Sequence, residues 1–428
     1  MAQLVLRALP ARAARASDAV ALSFRSSGSP TVRRGASVLS TMRKLPVVST
    51  SRSATCWARP TALGSRRSHA IHAAPPDHSG GEGVERDGVV VVVGCGILGL
   101  STAQELLRRG HRVTVVARSF DPQTTTSSVA AGFVFPYLLQ PVSQCERWVR
   151  ETLELCRAPP REDLCHPMES YVMHIEHEVA EPDWGSCGLD YRRLSKRELA
   201  EFNEARGGWV TAVDGFLVQT FCFNTGAYLT WLQEDITARG GRLVPRCLDS
   251  LMDVPAEEAA LGGRVRAVVN CTGVHARTFV QDESVRPVYG QVVGLAPQAG
   301  VSRAYIIEDG LEELGGSAYV FPRRDKIICG GTAIADKWSE QPDPAITQGI
   351  LERAAKLVPG LDVSEGLVLE ERCGLRPSRP QLRLELEAAH ACGRPVVHSY
   401  GHGGSGWTVF VGAAREAADL VEGALRPE

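Results

Sequence analysis

The chain lacks an apolar run that could cross a bilayer. Its 428 residues contain no stretch of about 20 consecutive apolar residues, the length that a spanning helix needs. It also lacks C-x-x-C pairs among its 12 cysteines, so neither a zinc site nor a redox dithiol is indicated. We therefore expect no membrane association, no bound metal, and mostly buried free thiols in a reducing compartment.

The first 80 residues have almost no acids. Of the chain's 49 Asp and Glu, only Asp18 and Asp77 lie there, against 12 of its 47 Arg and Lys. An acid-poor start rich in Arg and Ser is typical of a transit peptide, and a disordered basic tail is the alternative. We expect residues 1–80 to direct import into a chloroplast or mitochondrion. The C-terminus, Arg426 to Glu428, is not a peroxisomal S-K-L-type signal.

Once residues 1–80 are set aside, the chain is acidic. It keeps 35 Arg and Lys against 47 Asp and Glu. Such a balance offers no electrostatic support for nucleic-acid binding. The length suggests two or three domains.

A strand, a glycine turn, a helix and a second strand follow one another within about 30 residues. Residues 89–93 are five valines, as in a strand buried on both faces. Gly94, Gly96 and Gly99 then form G-x-G-x-x-G: the first permits the turn, the second admits a pyrophosphate, and the third lets helix and strand pack closely. The helix N-terminus offers free N–H groups to phosphates. The unit predicts a nucleotide cofactor.

The identity of that nucleotide stays open at this level. An acid usually ends the second strand and binds the ribose hydroxyls. Here Ala117, Arg118 and Ser119 stand at that end. Arg118 fits the 2′-phosphate of NADP, the ribose and phosphate region of FAD, or simply solvent.

The remaining pattern is mixed. Helices are predicted at 145–155, 195–205, 224–241, 346–361 and 412–425, and strands at 265–273, 289–296 and 395–400. Two further strands, joined by a turn at Arg323 to Asp325, predict an antiparallel sheet. We therefore expect an α/β (mixed α+β) fold in which a Rossmann-type nucleotide domain is interleaved with a substrate domain. The predicted boundaries are 88–140, 210–280 and 365–428 for the first and 141–209 and 281–364 for the second.

Six blocks in order resemble the D-amino acid oxidase family, which contains the D-amino acid and D-aspartate oxidases. They are VVVVVGCGILGLSTAQELL, TTTSSVAAGFVFPYL, VVNCTGVHAR, PVYGQVV, CGLRPSRPQLRLE and VVHSYGHGGSGWT. The resemblance runs from about residue 89 to about residue 425. It implies FAD as the cofactor, and some members carry Ala-Arg at the end of the second strand.

The resemblance also implies the reaction. A D-amino acid would pass its α-hydrogen as hydride from Cα to flavin N5, and oxygen would reoxidise the flavin to give hydrogen peroxide. The imino acid would hydrolyse to a 2-oxo acid and ammonia. The alternatives are an oxidase for glycine or sarcosine, a catalytically impaired FAD-binding relative, and an NADP-binding reductase. A homodimer is a further expectation.

The family's functional positions map onto named residues. The carboxylate would be held by Arg376 and the hydroxyl of Tyr319, and the amine by the carbonyl of Gly404. An arginine fork suits a carboxylate better than a lysine does. His402 is interpreted as structural, since hydride transfer needs no base at carbon. FAD would contact Gly94, Cys95, Gly96, Ile97, Leu98, Gly99, Arg118, Ser119, Thr125, Thr126, Gly132, Phe133, Leu248 (through its backbone), Gly403, Gly406, Trp407 and Thr408.

Two departures from the family pattern affect the substrate. A second pocket tyrosine common in the family is missing from residues 312–319, where Gly315 and Gly316 stand, and Phe135 replaces a common polar residue. The lid carries Glu308 and Asp309 in place of the arginine of D-aspartate-preferring members. A second carboxylate would meet acid there, so we expect neutral or basic D-amino acids to be preferred over D-aspartate.

The segment CGLRPSRPQ contains two arginines, each followed by a proline. Pro377 keeps Arg376 extended. Arg379 is expected to support a turn or to pair with a nearby acid.

Overall fold

The computed structural model describes residues 88–136, 142–182, 184–310 and 316–426. For residues 142–144 it describes the backbone only. The predicted transit peptide at 1–80 lies outside these ranges, as do residues 312–315 of the lid. All described residues belong to one compact unit.

Fourteen strands form the sheet. They are β1 (Val89–Val93), β2 (Val113–Ala117), β3 (Cys165–His174), β4 (Asp190–Arg193), β5 (Asp214–Phe223), β6 (Arg242–Pro245), β7 (Val265–Asn270), β8 (Arg286–Leu295), β9 (Ala304–Ile307), β10 (Ala318–Pro322), β11 (Ile327–Gly330), β12 (Ile334–Ala335), β13 (Val368–Glu387) and β14 (Val396–His402).

The described helices carry the remaining regular structure. They are α1 (Ile97–Arg108), α2 (Thr126–Val129), α3 (Val142–Arg157), α4 (Lys196–Ala205), α5 (Thr225–Ala238), α6 (Glu258–Leu261), α7 (Ala276–Phe279), α8 (Pro344–Leu357) and α9 (Gly406–Leu425). Each long predicted helix is present, and α9 begins six residues before the predicted residue 412, inside the glycine run.

One half of the sheet is parallel, in the order β14-β7-β1-β2-β6. All five valines of β1 are buried. Val90 and Val92 face a core shared with α1, α3, α5 and α9, whereas Val89, Val91 and Val93 face a second core on the opposite side. A strand covered on both faces has no polar face to show, which explains the uninterrupted valine run.

The other half is largely antiparallel, in the order β4-β5-β3-β9-β10-β11-β8-β13, and β12 is added beside β8. Only β3 and β9 run parallel among these pairs. The predicted turn at Arg323 to Asp325 is confirmed, since β10 ends at Pro322 and β11 begins at Ile327. Helix α8 covers this half with Ile350, Ala354 and Leu357.

Strand β13 joins the two halves. It pairs with β8 from Val368 to Ser378. It pairs with β14 at Ser378 and again from Arg383 to Glu387, and its register against β14 shifts between these two stretches. The segment with the two prolines is therefore extended strand, as predicted for Arg376, and Arg379 supports no turn. Pro377 stands opposite Pro287, so neither residue leaves a ladder N–H unpaired.

The expected partner of Arg379 is confirmed. Its Nε donates to Asp282 Oδ2 at 3.0 Å and to Ser284 Oγ at 2.9 Å. Asp282 also accepts a 2.8 Å hydrogen bond from Tyr400. The arginine thus ties β13 to the segment before β8.

The fold class agrees with the sequence-based expectation: a parallel half and an antiparallel half, with helices packed against them. The division into interleaved domains stays a prediction. Helix α3 was assigned to the substrate domain, yet Trp148 shares a core with Leu100 of α1 and Phe410 of α9. Among the described residues no helix is long and apolar enough to span a membrane.

The turn between β10 and β11 is fastened by a buried ion pair. Arg323 donates to both carboxylate oxygens of Asp325, at 2.9 and 2.6 Å, and also to Thr225 Oγ1 at 3.1 Å. Burial alone would raise the pKa of Asp325, but the Arg323 guanidinium lowers it. The ion pair connects the antiparallel half of the sheet to the start of α5.

Replacing Arg323 by Met should destabilise the fold. Removing one partner of a buried ion pair lowers the free energy of unfolding by about 3 kcal/mol or more. We expect a loss of about 3 kcal/mol here, because Asp325 remains 30% exposed. Urea denaturation measures the loss. The control is Arg324→Met at the next, exposed position, where we expect a change within about 0.5 kcal/mol. Equal losses in both variants would contradict the assignment.

Candidate active site

A cavity of about 560 Å³ opens where the carboxyl ends of β1, β2 and β7 meet the face of the antiparallel half. It is lined by every residue predicted to bind cofactor or substrate except Gly99 and Thr408. Residues far apart in the sequence, from Gly94 to Trp407, therefore meet around one space.

The glycine turn has the geometry that its pattern predicts. Gly94 has a φ of +112°, and a Cβ there would lie 2.4 Å from the carbonyl oxygen of Cys271. A Cβ on Gly99 would lie 2.0 Å from the carbonyl oxygen of Gly94. Gly99 thus allows α1 to approach the turn, which explains its place outside the cavity lining.

The N-terminus of α1 faces the cavity. Gly96 precedes the helix without a side-chain cap, which leaves room for phosphate at the first turn. The N–H of Ile97 donates to Ser127 Oγ at 3.0 Å. Ser127 was missed in the sequence; a serine within a Thr- and Ser-rich run gives no signal of which hydroxyl will face a distant helix.

The N-terminus of α9 lies beside it. A Cβ on Gly406 would sit 3.4 Å from a methyl of Leu98 and 3.5 Å from one of Ile97. Trp407 is buried, and its indole N–H donates to the carbonyl oxygen of Ser127 at 2.8 Å. The starts of α1 and α9 and the short helix α2 at Ser127 therefore form one wall.

Thr408 supports this wall from behind. It is buried, and its hydroxyl both donates to the carbonyl of Phe135 at 2.8 Å and accepts from the N–H of Phe135 at 3.1 Å. The structure therefore shows Thr408 as a link between α9 and the chain after α2.

The end of β2 forms the far side of the cavity. Arg118 is exposed there, and His275 lines the same region. Burial lowers the pKa of His275, and the charge of Arg118 lowers it further. The Cys95 thiol donates to the carbonyl of Ser119 at 3.0 Å, and burial raises its pKa to about 11. Cys95 therefore stays a thiol and is not a nucleophile.

Residues 123–133 close the cavity beside α1. Thr125 caps α2 by accepting from the N–H of Ser128, and Thr126 donates to the carbonyl of Leu375 at 3.2 Å. Arg372 holds this segment from outside, donating to the carbonyls of Gln123 and Ser128 at 2.5 and 3.3 Å. Strand β13 thus positions the start of α2, which carries Thr125 to Ser127.

Arg376 lies flat across the sheet. A Cβ on Gly290 of β8 would fall 2.2 to 2.5 Å from the guanidinium atoms of Arg376. The Nη1 group donates to the carbonyl oxygen of Thr332 at 2.8 Å. Only a glycine at 290 leaves space for the guanidinium, whose remaining N–H groups face the cavity wall.

Tyr319 lies over glycine in the same way. Cβ atoms on Gly330 and Gly331 would fall 2.1 and 2.6 Å from its ring and hydroxyl. Burial raises the pKa of Tyr319, and the charge of Arg376 nearby opposes that effect. The hydroxyl therefore stays protonated at neutral pH and can donate a hydrogen bond beside the guanidinium.

These glycines were not assigned a role from the sequence, although Gly290 lay in a quoted motif. A glycine inside a strand marks a close approach by a neighbour. That signal was available at 290, 330 and 331, but only the strand register identifies the neighbour.

The glycine run after β14 forms the roof of the cavity. Gly403 has a φ of +54°, and a Cβ there would meet no atom within 4 Å. Its N–H donates to the carbonyl of Pro377 at 2.9 Å, which joins the run to Arg376 along the chain. Gly404 follows and lines the cavity.

His402 is also buried beside the cavity. Burial lowers its pKa to about 4. The imidazole is therefore neutral and only weakly basic at neutral pH, which agrees with its interpretation as a structural residue.

The substrate end of the cavity is mostly apolar. Phe133 stacks on Phe321 with ring centroids 4.6 Å apart, and Phe135 packs against Trp184 at 5.1 Å. Glu308 lines the cavity, as its place in the lid predicts. Asp309 does not, because its Oδ1 accepts the N–H of Ile175 at 2.6 Å. Of the two lid acids predicted to face the substrate, only Glu308 lines the cavity. Residues 312–319, where the family's second tyrosine is missing, lie in part outside the described residues.

Comparison with known proteins gives two kinds of match. The family model described as FAD dependent oxidoreductase matches residues 89–420. A D-amino-acid oxidase of Rubrobacter xylanophilus is 40% identical over 338 residues, which is 78% of this chain and 96% of that protein. Human D-aspartate oxidase is 31% identical over 344 residues, which is 78% of this chain and 94% of that protein.

Solved structures share the fold at low identity. Glycine oxidase from Geobacillus kaustophilus matches with a TM-score of 0.62 at 20% identity, covering 78% of this chain and 94% of the other. L-α-glycerophosphate oxidase from Mycoplasma pneumoniae, solved with FAD bound, matches with a TM-score of 0.63 at 16% identity and the same coverage of each chain.

The residues present fit FAD. Gly94 and Gly96 leave the backbone bare before a helix start, where a pyrophosphate binds. Gly403 leaves open space on the opposite wall, where a flat ring can approach the backbone. Phosphate-binding and ring-binding surfaces thus line one continuous cavity.

Replacing Gly290 by Ala should displace the Arg376 guanidinium. A misplacement of about 1 Å can cost roughly 100-fold, so we expect weaker binding of a small carboxylate such as benzoate and unchanged FAD content. Calorimetry measures the affinity. The control is Gly294→Ala on the same strand, where the nearest atoms belong to the flexible side chains of Glu370 and Lys326. Unchanged benzoate affinity in Gly290→Ala would contradict the geometry.

Proposed function

The chain belongs to the family of FAD-dependent oxidoreductases that contains the D-amino-acid oxidases, and from this we propose that it oxidises D-amino acids to 2-oxo acids. One observation carries the proposal. Arg376 and Tyr319 place a guanidinium and a phenol side by side in the cavity that also holds the dinucleotide cradle. A carboxylate needs such a pair of donors.

The substrate carboxylate binds Arg376 and the hydroxyl of Tyr319. Arg376 keeps one N–H on Thr332, so its orientation is set before the substrate arrives. Tyr319 is held over Gly330 and Gly331. Two fixed donors orient the carboxylate, and orientation is the main catalytic contribution expected of the protein here.

The substrate amine points to the glycine run. The carbonyl of Gly404 accepts a hydrogen bond from it, which leaves the α-hydrogen directed away from Arg376. When bound, FAD would supply the redox chemistry, as acceptor of that hydrogen as hydride and as source of the electrons that reduce dioxygen to hydrogen peroxide. His402 accepts no proton in this scheme. Water then hydrolyses the imino acid to the 2-oxo acid and ammonia.

Apolar side chains shield this region. Phe133, Phe135 and Phe321 pack together at the substrate end. Their rings exclude water, which strengthens the contact between the carboxylate and Arg376.

We propose that neutral and basic side chains are preferred over D-aspartate. Glu308 is the acid at the substrate end, while the cavity arginines other than Arg376 stand after β2 and β6 as Arg118 and Arg246. Arg246 also pairs with Glu257. A second substrate carboxylate would meet a negative charge and apolar rings, which disfavour it.

The proposal includes import into an organelle, with dioxygen as electron acceptor and a homodimer as the assembly. The composition of residues 1–80 supports import, and the family match begins only at residue 89.

Arg376→Ala should raise the Michaelis constant for D-alanine by roughly 100-fold or more, since each hydrogen bond to a charged group contributes about 1.5–3 kcal/mol. FAD should stay bound. Arg376→Lys should recover part of the loss, because lysine keeps the charge but not the fork. Steady-state peroxide release measures both.

The matched control is Arg379→Ala on the same strand. It loses the pair with Asp282, so we expect lower stability with an unchanged Michaelis constant. Identical kinetics in the Arg376 and Arg379 variants would refute the role of Arg376.

A substrate panel tests the preference. Peroxide release should be faster with D-alanine and D-arginine than with D-aspartate, and absent with L-alanine or sarcosine. Glu308→Gln should raise the Michaelis constant for D-arginine more than for D-alanine, because only the former carries a distal cation. D-aspartate as the best substrate would overturn the preference, and sarcosine as the best would favour the glycine-oxidase alternative.

Import is tested by fusing residues 1–80 to a fluorescent protein in plant cells. We expect the fusion to accumulate in plastids or mitochondria, because an acid-poor segment rich in Arg and Ser is typical of a transit peptide. Replacing the 12 basic residues by Gln supplies the control and should leave the fusion in the cytosol. Cytosolic fluorescence of the unmodified fusion would contradict the proposal.

A further inference from the structure

A group of metal-ligating side chains lies outside the cavity, where β3 and β9 end. These strands run parallel, with Met173 opposite Ile307. The residues that follow them are therefore neighbours. Ligand atoms of Glu176, His177 and Asp309 all lie within 4.8 Å of one another.

The spacing around Asp309 is that of ligands rather than of hydrogen bonds. Its Oδ2 lies 3.6 Å from Nδ1 of His177 and 3.5 Å from Nδ1 of His174. Both distances exceed those of good hydrogen bonds. The distance to His177 matches the separation of about 3.4 Å between two atoms that each lie about 2.1 Å from a tetrahedral ion.

The Oδ2 atom of Asp309 also lacks a donor. Oδ1 accepts the N–H of Ile175, but Oδ2 is buried and accepts no hydrogen bond within the described part of the chain. A buried carboxylate oxygen without a donor is costly. A cation would satisfy this oxygen.

We propose that Glu176, His177 and Asp309 bind a divalent transition-metal ion with the coordination chemistry of Zn²⁺. One imidazole and two carboxylates suit Zn²⁺ better than Ca²⁺ or Mg²⁺, which take oxygen ligands. His177 is 66% exposed, so water can complete the coordination. His174 is buried on the inner side of Asp309 and is not among the proposed ligands.

The site adjoins the cavity without sharing a ligand with the proposed reaction. Asp309 directly follows Glu308, which lines the cavity. A bound ion would tie the end of β3 to the end of β9 beside that wall. Its presence is independent of which substrate the cavity accepts.

Equilibrium dialysis of the full-length, tag-free holoprotein against Zn²⁺ tests the site. The wild type should retain one more ion per chain than His177→Ala. Loss of a residue that only hydrogen-bonds to a metal ligand lowers metal affinity by about 10- to 100-fold. Loss of a ligand itself should cost at least as much, so His177→Ala, Glu176→Gln and Asp309→Asn should each weaken Zn²⁺ binding at least tenfold. His177 is exposed, so its variant should fold normally.

Glu178→Gln is the matched control, since Glu178 is exposed in the same segment but outside the ligand group. It should bind Zn²⁺ like the wild type. Added Zn²⁺ should raise the Tm of the wild type and of Glu178→Gln but not that of His177→Ala. Equal Zn²⁺ content in wild type and His177→Ala, or equal loss in Glu176→Gln and Glu178→Gln, would overturn the proposal.

Discussion

The change of partner along β13 is the constraint on which the site depends. The strand pairs with β8 up to Ser378 and with β14 at Ser378 and from Arg383 onward, so it belongs to both halves of the sheet. Arg376 lies just before the change. Gly403, which follows β14, bonds to the carbonyl of Pro377, so the arginine and the glycine run are held close together. One strand thereby aligns Arg376 with the glycine run that lines the same cavity.

Glycines on neighbouring strands determine how the side chains of Arg376 and Tyr319 lie. Arg376 and Tyr319 are long, and a neighbour with a Cβ would lift them off the sheet. Gly290 and Gly330 remove that Cβ, so both side chains lie flat with their polar ends together. Glycine costs conformational entropy in a strand, and here that cost is offset by a fixed pair of donors. Gly96 likewise leaves the backbone bare, at the point where a pyrophosphate can approach the start of α1.

Local features of the site could be predicted from the sequence, and features that depend on register could not. The Gly94 turn was predicted because strand, turn and helix are adjacent in the chain. Tyr319 and Arg376 came from family motifs, whereas their partners Gly290 and Gly330 needed the pairing of β8, β10, β11 and β13. The extended backbone at Arg376 was predicted from Pro377, but the position of this segment inside a ladder was not; Pro377 faces Pro287, where no N–H is required. Asp309 was predicted to face the pocket together with Glu308, because the sequence does not show which of two adjacent side chains points away from the pocket.

The account depends on a carboxylate and an amine being held so that one face of a D-amino acid meets the flavin. Anaerobic mixing of the holoprotein with D-alanine and, separately, L-alanine tests this directly through the flavin absorbance near 450 nm. We expect D-alanine to bleach the flavin completely and L-alanine to leave it oxidised. A flavin that no D-amino acid bleaches, or that both enantiomers bleach alike, would contradict the account.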